Sequence, residues 1–170
     1  MRALAKSIVE TAASAAGMPV ANVMEKPDKA SALHPLPRLE FETPDQDVKR
    51  NKRLFCKLPA ADPDYVVHRY ITHDITVKAR VEIIGDSADY VESFFVAFMQ
   101  ALPGKTVDAG NNLVTVRPER AATGGYEYRA IDAFPERRIP VWITVKGGLY
   151  EDVEVPYVKS INLVDGINYK

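Results

Sequence analysis

The longest alternation of apolar and polar residues in the chain runs through "VVHRYITHDITVKARVEIIGD". Ile71, Ile75, Val77, Ala79, Val81 and Ile83 point one way, and Thr72, Asp74, Thr76, Lys78, Arg80 and Glu82 the other. That period of two is the signature of a β-strand with one face buried. Gly85 stops the strand, and Asp86 or Ser87 can cap a helix over "SADYVESFFVAFMQAL". Within it Tyr90, Val91, Phe94, Phe95, Phe98, Met99 and Leu102 recur at helical spacing before Pro103 and Gly104 end it. A helix this aromatic is expected to pack hardest against the sheet.

Upstream, Leu4, Ile8, Val9 and Ala12 place a helix over residues 2–16, with Gly17 available for a left-handed C-terminal turn. Residues 18–37 hold no period and contain Pro19, Pro27, Pro35 and Pro37. A connection that long reads as an extended arm, of the kind that lies on a neighbouring subunit. Two short strands follow. Leu39 and Phe41 face one way in 38–42, and Leu54, Cys56 and Leu58 face one way in 53–58. The polar stretch between them predicts a projecting hairpin loop at 43–52. Later strands are expected in "NLVTVRP", "GYEYRAIDAF", "IPVWITVK", "LYEDVEV" and "YVKSINLV", with Gly147-Gly148 as a tight turn between the third and fourth. Runs of strands without regular βαβ alternation predict an α+β fold. It is read as a single domain over residues 1–170, a mostly antiparallel β-sheet with an N-terminal helix and one amphipathic helix packed on it.

Charge narrows the functional classes. The 170 residues include 22 Lys and Arg against 23 Asp and Glu, a formal net charge of -1. A chain that coats nucleic acid unaided is plainly basic, so any basic site here must be local. One such place is "DVKRNKR", where Lys49, Arg50, Lys52 and Arg53 form a candidate partner-contact loop. Another is the set Arg117, Arg120, Arg137 and Arg138, interleaved with Glu119, Glu127 and Glu136. These charges suit reciprocal contacts between subunits, or equally a salt-bridged surface. No apolar run approaches the roughly 20 residues that span a bilayer. Lys6 and Glu10 interrupt the N-terminal stretch that a secretory signal would need. The chain is therefore expected to stay where it is made, without a membrane partner.

Chemistry is sparse. Cys56 is the only cysteine, which excludes an internal disulfide or a cysteine-based zinc cluster, and its strand setting reads as a small core side chain. His68 and His73 are five apart on one strand and so point to opposite faces, while His34 lies in the arm. No metal site is expected from them. Asp152 and Glu154 share a strand face and could pair as acid and base, or simply be solvated. No Gly-x-Ser-x-Gly elbow and no Gly-Lys-Ser/Thr phosphate loop is present. The expectation is a protein without catalytic residues or cofactor. Trp142 is either a partner anchor or a core or rim residue.

The order of elements resembles the tail terminator proteins of tailed bacteriophages, also called tail completion or neck proteins. The likeness rests on the Ala-rich N-terminal helix, the hairpin with a charged tip, "VKARVEIIGDSADYVESFFVAFMQAL", and the closing "RRIPVWITVKGGLYEDVEVPYVKSINL". The resemblance implies a structural virion protein, assembled in the host cytoplasm, that forms a ring, usually sixfold. It would end the tail tube at its head-proximal end and join it to the head-tail connector protein, with DNA passing through the lumen. Its partners would be itself, the tail tube protein and the connector. The alternative is a small nucleic-acid-binding module that grips its ligand with the basic loop 47–53.

Overall fold

The computed structural model describes residues 1–26, 35–121, 129–131 and 134–157. Its elements are helix α1 (Arg2–Ala15), a 3-10 turn (Val20–Asn22), and strands β1 (Val23–Glu25), β2 (Arg38–Pro59) and β3 (Tyr65–Gly85). They continue with helix α2 (Ala88–Ala101) and strands β4 (Lys105–Val107), β5 (Leu113–Ala121), β6 (Arg129–Ile131) and β7 (Phe134–Pro156). The architecture is α+β. Seven strands form a mostly antiparallel mixed sheet in the order β1-β2-β3-β7-β5-β4, with β6 paired to β7 off that path.

The contacts of the chain divide into two compact units. The first holds Met1–Lys49 and Asp74–Gly148, the second Arg50–His73 and the chain from Leu149 onward. In the first unit both helices contribute to one apolar core. Ala5, Ile8, Val9 and Ala12 of α1, with Val91, Phe94 and Phe98 of α2, join Val77, Val81 and Ile83 of β3, and Val141, Ile143 and Val145 of β7. The alternation of β3 is realised as expected, with Ile75, Val77, Ala79, Val81 and Ile83 all buried. Helix α1 ends through Gly17 at φ 95°, where Gly17 N–H donates to Ser14 O and Met18 N–H to Ala13 O. This closes the last carbonyls in the left-handed turn that glycine accepts without a Cβ clash.

Ser87 caps α2, its hydroxyl accepting from Tyr90 N–H at 3.4 Å. Gly85 is needed for closeness rather than for its dihedral angles. A Cβ there would lie 2.8 Å from Val91 Cγ2 and 3.2 Å from Tyr90 Cδ1. Gly85→Ala is therefore expected to push the first turn of α2 off the sheet and to cost roughly 1–3 kcal/mol, as overpacking a tight contact does. Chemical denaturation reads this directly, and an unchanged midpoint would show that the helix start yields freely.

Several sequence expectations are corrected. Residues 43–52 are not a hairpin loop: they lie inside β2, which runs unbroken for 22 residues. The turn comes later, at residues 60–64, where Asp64 N–H donates to Asp62 Oδ1 and Tyr65 N–H to Asp62 O. Polar and basic residues looked like a loop because neither face of the strand is apolar between Thr43 and Arg53. Likewise Gly147-Gly148 makes no turn, since β7 continues through both for 23 residues. The glycines fall where the two units divide. The first part of the arm is also tied to its own chain. Met18 is buried, β1 pairs in parallel with Leu39–Phe41 of β2, and Asn22 Nδ2 donates to Pro37 O at 2.8 Å. Residues 27–34, and the strand expected in "YVKSINLV" beyond Tyr157, lie outside the described residues.

Candidate interaction surfaces

In the second unit β2, β3 and β7 form a three-stranded sheet with β3 in the middle. A five-residue connection between β2 and β3 permits only antiparallel pairing. Thr72 Oγ1 donates to Leu149 O and Tyr157 N–H to Asp64 O, so β3 and β7 also run in opposite directions. No helix belongs to this unit among the described residues, and its apolar side chains are correspondingly uncovered. Leu54 is 46% exposed and Leu149 49%, and Phe55, Tyr65, Val153 and Tyr157 are exposed as well. Among the described residues, six of the eleven large exposed hydrophobic ones thus fall in the smaller unit. The expected core face of Leu54, Cys56 and Leu58 is instead a half-open surface, and Cys56 is a free, partly buried thiol.

The basic cluster sits on β2 at the boundary of the units. Lys49 pairs with Asp47 at 3.3 Å, both well exposed. Lys52 reaches over β3, with its Nζ 5.4 Å from the centre of the Tyr70 ring and 2.9 Å from Glu151 Oε2 on β7. Arg50 and Lys52 line a shallow open cleft with Thr72, His73 and Glu151. Lys49 and Lys52 therefore face carboxylates of the same chain, an arrangement ill suited to gripping phosphates. Arg53 is exposed on the same strand.

Asp152, one member of the suggested acid–base pair, is clasped by Arg69. Nε and Nη2 donate to its two oxygens at 2.7 and 2.6 Å. Hydrogen bonding from Arg69 holds the Asp152 carboxyl below its usual range, and the Arg69 guanidinium is raised in turn. A carboxylate kept ionised in this way is a poor proton donor near neutral pH. His68 stacks edge-on to Tyr70, and His73 Nδ1 lies 3.1 Å from Thr72 Oγ1. Among the described residues no group of three His, Cys, Asp or Glu is placed to hold a metal ion.

The arginines proposed for subunit contacts lie on two neighbouring strands, β5 and β7. Arg117 stands exposed on β5 opposite Thr144, and Arg120 pairs with Trp142 past an irregularity in the ladder. Arg137 and Arg138 are half-buried on β7. Arg138 turns into a charged network on the sheet face opposite the helices. Its Nη1 is 3.0 Å from Glu82 Oε2 and 4.0 Å from Glu40 Oε2. Arg80 Nη2 lies 2.6 Å from Glu82 Oε1, and Arg38 Nε 2.8 Å from Glu40 Oε1. The Arg80 guanidinium also stands 5.7 Å from the centre of the Trp142 ring. The sequence shows these groups only as charges at alternate positions, which reads as a solvated face. Strand order is what brings β2, β3 and β7 together and buries Glu40 and Glu82.

Comparison of the chain with protein-family models and with curated proteins finds no match.

Proposed function

We propose that this chain is a structural virion protein that forms a ring at the head-proximal end of a bacteriophage tail, ending the tail tube and joining it to the head connector. The observation that carries the reading is the second unit. Among the described residues it is a three-stranded sheet without a helix of its own, and it exposes large apolar residues beside paired charges. A sheet of that size is stable when a hydrophobic face is covered, so such a unit is built to be completed by a neighbour. The first unit supplies the rigid body, two helices packed on one sheet face. DNA crosses the lumen without being read, which agrees with cations answered by carboxylates of the same chain.

The test is the fate of tails assembled without this chain in the phage that encodes it. Deletion is expected to give tubes of irregular, excess length alongside filled heads that carry no tail, both visible by electron microscopy. Joined virions with tails of normal length after deletion would sink the proposal. The nucleic-acid-module alternative predicts instead a duplex affinity that falls steeply with added salt.

A further inference from the structure

The second unit has two sheet edges, and they differ in charge. Among the described residues β2 has no strand on its outer side beyond Phe41, where β1 ends. Among the same described residues β7 has none on its outer side beyond Lys146, the last residue paired to β5. From Arg50 to Pro59 the β2 edge carries Arg50, Lys52, Arg53 and Lys57 and no acid. From Leu149 to Pro156 the β7 edge carries Glu151, Asp152 and Glu154 and no base. Because β3 is antiparallel to both, β2 and β7 run parallel to one another.

An open strand edge presents a row of backbone donors and acceptors and is a template for pairing with another chain. We propose that the occupant is a second copy of this chain, with the β2 edge at Arg50–Pro59 of one copy adding in parallel to the β7 edge at Leu149–Pro156 of the next. The inference deepens the ring reading of the preceding subsection and rests on it for the identity of the assembly. Charge decides between the geometries. A two-fold dimer through β2 alone would run antiparallel and bring Arg50 of one copy toward Lys57 of the other, and one through β7 alone would bring Glu151 toward Glu154. Like charges placed directly opposite across strands are destabilising. Pairing β2 with β7 sets opposite signs together instead. It is a head-to-tail contact, and such contacts repeat until the rotation closes a ring or runs on as a filament. The exposed Leu54, Leu149 and Val153 flank these edges and would lose water as copies add.

Arg50 and Lys57 on one edge and Glu154 on the other make the cleanest test, because Lys52 and Asp152 already hold partners in their own chain. The wild-type chain is expected to sediment as a species of more than two copies. Arg50→Glu with Lys57→Glu in one chain, and Glu154→Arg in another, should each weaken assembly about tenfold or more while leaving the thermal midpoint in place. Mixing the two variants should restore assembly, since each then offers the edge the other lacks. A wild-type chain that stays a single copy, or a reversed chain that assembles alone as well as wild type, overturns the proposal. Failure to assemble only after edge reversal, in a chain whose deletion leaves tails normal, would keep the edge contact and reject the phage reading.

Discussion

Phe98→Ala is expected to cost roughly 3–5 kcal/mol of folding stability, as truncating a fully buried aromatic does. Phe98 is 0% exposed and ends an aromatic ladder along one side of α2. Its ring is 6.2 Å from Phe94 at 19°, and Phe94 is 6.0 Å from Tyr90 at 14°. Spacing of four residues brings each ring over the next, and the ladder packs with α1 and the sheet in one core. Losing the fully buried Phe98 ring removes buried area and leaves a cavity that the helix cannot close without leaving the sheet. Val96, 51% exposed on the same helix, is the control, and Val96→Ala should stay within about 0.5 kcal/mol. Urea unfolding of both variants checks the pair. A Phe98→Ala protein as stable as the Val96→Ala one would show that the helix faces another way.

Glu82→Ala is the second large effect, expected at about 3 kcal/mol. The Glu82 side chain is 8% exposed and answers Arg80 at 2.6 Å, Arg138 at 3.0 Å and Lys26 at 3.8 Å. Removing it takes away the one carboxylate that Arg80, Arg138 and Lys26 share, leaving Arg138 with Glu40 at 4.0 Å and Lys26 with Glu42 at 3.3 Å, and the penalty is mainly that of under-compensated charge. The figure is placed at the low end because the Arg80 side chain is 34% exposed and water takes up part of the deficit. Glu82→Gln keeps an acceptor for the guanidinium groups and should recover part of the loss. Asp47→Ala, which breaks an exposed pair with Lys49, should leave stability unchanged. Equal midpoints for Glu82→Ala and Asp47→Ala would show that the network is hydrated.

The two helices, the α+β class and the inner face of β3 were legible in the residues, because each rests on a local period repeated over many positions. Ile75 to Ile83 alternate and Val91, Phe94 and Phe98 recur at helical spacing, and burial follows both patterns. Gly17 and Ser87 were legible for the same local reason, as a left-handed turn and a cap. The tertiary structure alone decided what happens where the period fails. Between Thr43 and Arg53 nothing marks a face, yet backbone pairing with β3 carries β2 through the whole stretch. Gly147-Gly148 looks like a turn, yet pairing on β3 keeps β7 extended through it. The charges followed the same division. Lys52 and Glu151 are 99 residues apart, as Arg138 and Glu82 are 56 apart, and only the order β2-β3-β7 sets them side by side. A sequence states which residues alternate, whereas the hydrogen-bonded neighbour of each strand is a long-range choice made by the whole sheet.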